Sequence, residues 1–83
     1  MKVLDKTMFF SSSEIERAVI NEVLDEVYKA LKEKGYNPIN QMVGYLVTGD
    51  ATYISNYKNA RNKMMGIERD KILVALLENY IEK

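Results

Sequence analysis

The sequence predicts an all-α fold: a small compact helical domain of four to five helices over residues 13–83, preceded by a flexible arm over residues 1–12. Three observations carry this. Apolar residues recur at helical spacing through most of the chain, no segment alternates with the two-residue period of a strand, and every linker is only a few residues long.

Residues 1–12 show neither period and run into Ser11, Ser12 and Ser13. Val3, Leu4, Met8, Phe9 and Phe10 surround Thr7 there, an apolar content that in an exposed arm calls for a docking surface. Ser13 and Glu16 have the spacing of a capping box, so the first helix is expected to start at Ser13. Val19, Val23, Val27 and Leu31 repeat every fourth residue, with Ile20, Leu24 and Tyr28 beside them, giving an arc wider than a coiled-coil seam. Glu22, Asp25, Glu26, Lys29, Lys32 and Glu33 fill the opposite face, with Asp25 and Lys29 as an i, i+4 pair. Gly35 is the expected stop.

Asn37 and Pro38 restart the chain as a cap and first helical residue. The second helix carries Ile39, Met42, Val43, Leu46 and Val47 and ends at Gly49. Asp50 caps a short turn bearing Tyr53 and Ile54. From about Asn56, Tyr57, Ala60, Arg61, Met64 and Met65 share one helical face until Gly66 interrupts it. Glu68 and Asp70 suit the positive end of a last helix, in which Ile72, Leu73, Leu76, Leu77, Tyr80 and Ile81 form a second broad arc. Two such arcs exceed what one layer of short helices covers, so a homodimer is expected to bury the surplus.

Composition narrows the chemistry. The 83 residues contain no His, Cys or Trp, and twelve Lys plus Arg balance twelve Asp plus Glu. Disulfides, thiolate nucleophiles and Cys/His zinc sites are thereby excluded, and no imidazole is present to serve as acid, base or ligand. Zero net charge disfavours a general nucleic-acid binder. No apolar run reaches the length of a membrane span, and residues 1–10 lack a signal peptide's pattern. The expectation is a soluble cytoplasmic protein that is not an enzyme and needs no cofactor or metal.

Several motifs are weighed against that background. Gly44 and Gly49 have the spacing of a phosphate-binding loop, but Asp50 stands where that loop needs Lys. A helix-bundle di-iron site requires Glu-x-x-His and fails for want of His. A small helix-turn-helix-like DNA-binding regulator is the alternative reading: helices over 39–47 and 57–65 would present Lys58, Asn59, Arg61, Asn62 and Lys63 to a groove. The same cluster suits an anionic group such as a phosphorylated side chain. Tyr36, Tyr45, Tyr53 and Tyr57 surround the glycine-bounded middle segment, where Tyr45 and Tyr53 are candidates for partner binding. Thr7 lies in a segment that a kinase can extend across its active site, and phosphate there would take the net charge from zero to about −2.

Asp5-Lys6-Thr7-Met8, the run from Ala30 through Lys34-Gly35-Tyr36-Asn37-Pro38-Ile39-Asn40 to Gln41, Val43-Gly44-Tyr45-Leu46, Gly49-Asp50 and Glu68-Arg69-Asp70 together resemble the IreB family of small regulatory phosphoproteins. The resemblance covers nearly the whole chain. It implies a dimeric helical protein of Gram-positive bacteria, phosphorylated by a membrane-anchored PASTA-type Ser/Thr kinase and dephosphorylated by the cognate phosphatase. Such proteins influence cell-envelope stress responses and peptidoglycan synthesis, in part of the family through ClpCP proteolysis of a wall-precursor enzyme. The phosphoacceptor falls on Thr7. A second acceptor of some members falls on Leu4, and two family prolines are replaced by Ala51 and Ser55. Arg61 and Arg69 match basic positions and are candidates for partner binding or phosphate sensing.

Overall fold

The computed structural model describes residues 12–82. The expected arm and its Thr7 therefore lie outside the described residues. Helix α1, Ser12–Lys34, begins before Ser13, which is already helical, so the expected cap is displaced by at least one residue. Glu16, the other half of the expected box, instead accepts from Lys71 Nζ at 2.8 Å. Ile20, Leu24, Val27 and Leu31 are buried at 4-3-4 spacing, joined by Ala30. Val19 and Tyr28, expected in the same arc, lie at its margins, 52% and 41% exposed.

The end of α1 is a Schellman motif. Gly35 has φ +92°, its amide donates to Lys32 O, and the Tyr36 amide donates to Leu31 O, both at 3.0 Å. Two residues on, Asn37 Oδ1 accepts from the Asn40 amide at 3.1 Å and caps helix α2, Pro38–Thr48, with Pro38 at its first position. This helix buries Pro38 and Tyr45 and stops at Gly49 in the left-handed region, φ +78°. Asp50 Oδ1 then accepts from the Thr52 amide and hydroxyl and caps a single 3₁₀ turn, Ala51–Tyr53.

The helix expected from Asn56 to Met65 is broken. Lys58 and Asn59 both adopt positive φ, +52° and +66°, which separates a turn at Tyr57–Asn59 from the six-residue helix α3, Ala60–Met65. The break resolves a conflict of faces. Tyr57 and Lys58 turn toward Glu33 of α1, while Ala60 and Met64 enter the core, each with no exposed surface. Helix α4, Arg69–Ile81, follows with Asp70 in its first turn.

The core joins α1 to α2, α3 and Ile54, with Ile72 and Ala75 from α4. Leu31, Ile54, Met64, Ile72 and Val27 are its largest fully buried side chains, each contributing about 1.5 to 3 kcal/mol by burial. Among the described residues there is no strand. The body measures 49 × 23 × 21 Å with a radius of gyration of 14.8 Å, against about 12 Å for a compact globule of this length. This elongation leaves much of α4 uncovered.

Candidate functional site

The loop between α2 and α3 gathers several of the expected site residues around one scaffold. Tyr53, half exposed, lays its ring on Gly44: a Cβ placed on that glycine would lie 2.5 Å from Tyr53 Cδ1. One residue later, the Ile54 carbonyl accepts from Arg61 Nε at 2.8 Å. Arg69 closes the other side, donating from Nη1 to Leu46 O at 3.1 Å and passing its guanidinium across Gly49, where a Cβ would lie 2.9 Å from Cζ. Both arginines thus neutralise carbonyl dipoles at the ends of short segments. Thr52's hydroxyl and amide, with Arg61's charge as a lesser cause, hold the Asp50 carboxyl below the ordinary carboxylate range.

Tyr45 is placed differently. It is only 7% exposed and packs in the core cluster. Gly44 lies mid-helix, so the Gly44 to Gly49 spacing belongs to a helix and its stop, and not to a phosphate loop. The helix-turn-helix reading fails on the same scale. Its recognition helix is interrupted at Lys58–Asn59, and the surviving six residues of α3 spend Ala60 and Met64 on the core.

A cluster that sequence reasoning missed lies at the far side of the break. Glu33 accepts from Tyr57 Oη at 3.0 Å and from Lys58 Nζ at 2.9 Å, while the Lys34 ammonium sits 5.2 Å from the Tyr57 ring centroid. The two donors depress the Glu33 carboxyl, and Glu33 in turn raises both Lys58 and Tyr57. These partners are 24 and 25 residues from Glu33 in sequence, so no local spacing announces them.

Among the described residues, large apolar side chains are exposed on α1, at Ile15 and Val19, and in longer stretches on α2 and α4. Ile39, Val43 and Val47 line one side of α2 at four-residue spacing, 48 to 75% exposed. On α4, Leu73, Val74, Leu76, Leu77, Tyr80 and Ile81 are 40 to 73% exposed, whereas Ile72 and Ala75 alone are buried. The arc expected on α4 therefore exists, but most of it faces outward. Exposed apolar surfaces of this kind mark interaction sites. Among the described residues, no group of three acidic side chains is arranged to hold a metal, and no helix is long and apolar enough to cross a membrane.

A family model described as "IreB regulatory phosphoprotein" matches residues 5–82. The chain belongs to the IreB family. Its relatives include a UPF0297 protein of Lachnoclostridium phytofermentans, 48% identical over 82 residues, covering 99% of this chain and 93% of that protein. Another, from Ruminiclostridium cellulolyticum, is 51% identical over 79 residues, covering 95% and 90%. IreB membership supports a regulatory role, in a family described as regulatory phosphoproteins. The DNA-binding reading gains nothing from these relatives.

Proposed function

We propose that this IreB-family chain is a non-enzymatic switch whose phosphoacceptor is Thr7. The observation that carries the reading is the family match, which begins at residue 5 and so includes Thr7 in its Asp5-Lys6-Thr7-Met8 setting. A membrane-anchored PASTA-type Ser/Thr kinase adds the phosphate and the cognate phosphatase removes it, both acting on the cytoplasmic side. The output is control of the cell-envelope stress response and peptidoglycan synthesis in a Gram-positive bacterium, through regulated ClpCP proteolysis of a wall-precursor enzyme.

Partner contacts fall to the exposed side chains Tyr53 and Arg69, with Arg61 and Tyr45 holding the loop and helix that present them. The protein works as a homodimer. Support for this comes from the α2 stripe of Ile39, Val43 and Val47 together with Leu73 of α4, which the Arg69–Leu46 contact brings to the same end of the molecule.

Phosphopeptide mass mapping after kinase treatment tests the acceptor. Phosphate on Thr7, absent from a Thr7→Ala chain, is the expected result; full modification of Thr7→Ala removes the assignment.

A further inference from the structure

The first turn of α1 and the last turn of α4 meet. Ser13, Glu14, Arg17, Glu78 and Glu82 line one open cleft of about 490 Å³, and Arg17 Nη1 lies 3.2 Å from Glu78 Oε1 and 3.6 Å from Glu82 Oε1. With Glu78 turned toward α1, Leu73, Leu76, Leu77, Tyr80 and Ile81 form an uninterrupted apolar strip on the outer side of α4. Eight residues separate its ends, so the strip is about 12 Å long. Ser13, which lines this cleft, is preceded in sequence by Ser12, Ser11, Phe10, Phe9 and Met8.

We propose that residues 1–11 of the unmodified chain fold back on this pole, seat Met8, Phe9 and Phe10 against Leu77 and Ile81, and are driven off by phosphate on Thr7. The inference rests on Thr7 being the acceptor. Reach allows it: five residues back from Ser12 extend to about 16 to 18 Å. Tethering favours it, because a segment joined by so short a linker faces its site at an effective concentration of order millimolar, which an untethered second copy must compete with.

Charge decides the direction. The arm carries Lys2 and Lys6 against Asp5, a side-chain net of +1, and the cleft carries Glu14, Glu78 and Glu82 against Arg17, a net of −2. The unmodified arm is therefore drawn to the pole. Phosphate contributes about −2 at pH 7, inverting the arm to about −1 beside three carboxylates within a Debye length of roughly 8 Å. No guanidinium at the pole compensates for this, since Arg17 is bracketed by Glu78 and Glu82. Arg69 opens α4, a helix length away, and Arg61 is bonded to Ile54 O.

The composition supplies its own probe, for the only two phenylalanines in the chain are Phe9 and Phe10. Full-length protein made with fluorophenylalanine, with Thr7 either unmodified or installed as phosphothreonine during synthesis, reports the arm alone by fluorine NMR. The expected result is two resonances shifted from those of a free peptide of residues 1–11, unchanged on tenfold dilution, and collapsing to the peptide values in Leu77→Lys/Ile81→Lys and in the phosphorylated chain. A phosphorylated Glu14→Gln/Glu82→Gln chain should regain the shifted resonances. Peptide-like resonances in the unmodified chain overturn the docking, and shifts that vanish on dilution assign the strip to a second copy. Shifts that persist with phosphate overturn the release. Because the phosphate is installed chemically, none of these outcomes depends on the kinase, whose failure to modify Thr7 would refute only the acceptor assignment.

Discussion

Gly44 and Gly49 are the residues whose side-chain absence the structure uses most directly. Gly44 has ordinary helical geometry, so its requirement is spatial: Tyr53 Cδ1 and Cγ would lie 2.5 and 2.9 Å from an added Cβ. Gly44→Ala is expected to lower stability by about 1 to 3 kcal/mol, as overpacking does, and the loss should largely disappear in a Tyr53→Ala background when both are read from urea midpoints. Gly35 and Gly49 form a natural comparison, since both have positive φ but only Gly49 has a neighbour, the Arg69 guanidinium. Gly35→Ala should cost about 1 to 2 kcal/mol from the left-handed backbone alone, and Gly49→Ala more, with the excess abolished by Arg69→Ala. Glu33 is an electrostatic case. Its carboxyl lies below its ordinary 4.5, so its contribution is present above that value and is lost as pH falls through the folded value. Lys58 lies above its ordinary 10.5, so its share is present below that value and lost as pH rises through the folded one. The stability deficit of Glu33→Gln at neutral pH should accordingly narrow in acid titrations below about pH 4.5 and stay level from pH 6 to 9.

At the scale of elements, what was legible in sequence was the punctuation. Gly35, Asn37, Pro38, Gly49 and Asp50 each perform the local task their chemistry suits, because caps and stops are decided within four or five residues. Asn37→Ala is expected to remove about 1 kcal/mol, visible as a fall in the thermal midpoint. The break at Lys58–Asn59 was not legible. Tyr57, Ala60, Arg61, Met64 and Met65 have sound helical spacing, and what overrides it is Glu33, far away in sequence, claiming Tyr57 and Lys58 while the core claims Ala60 and Met64. Site residues divide in the same way. Residue type marked Arg61, Arg69, Tyr45 and Tyr53 as candidates, but only the packing separates the half-exposed Tyr53 from the interior Tyr45. Helical periodicity likewise drew the arc on α4 but left open which of its residues meet α1, because an arc does not say how much of itself is covered.

For the whole molecule the decisive feature is uneven burial. Leu31, Ile54 and Met64 are sealed where α1, α3 and the loop converge, while α4 exposes Leu73, Val74, Leu77 and Ile81. Sedimentation equilibrium at tens to hundreds of micromolar should return a dimer mass, and Val43→Lys/Val47→Lys should return the monomer without lowering helix content; a monomer for the parent chain at those concentrations removes the dimer. The contact of α4 with α1 is polar at its edges: Lys71 to Glu16 at 2.8 Å, Arg17 to Glu78 and Glu82, and a reciprocal amide pair in which Asn21 and Asn79 each donate to the other, at 3.3 and 2.6 Å. Salt weakens the ion pairs and spares the amides. A helix anchored by Ile72, Ala75 and such a seam can open while the rest of the body stays folded. In amide hydrogen exchange, the protons of Leu76 to Ile81 should therefore be replaced by deuterium long before those of Val27 to Leu31, so that the chain has a slow-exchanging centre and an end that is repeatedly lent to solvent.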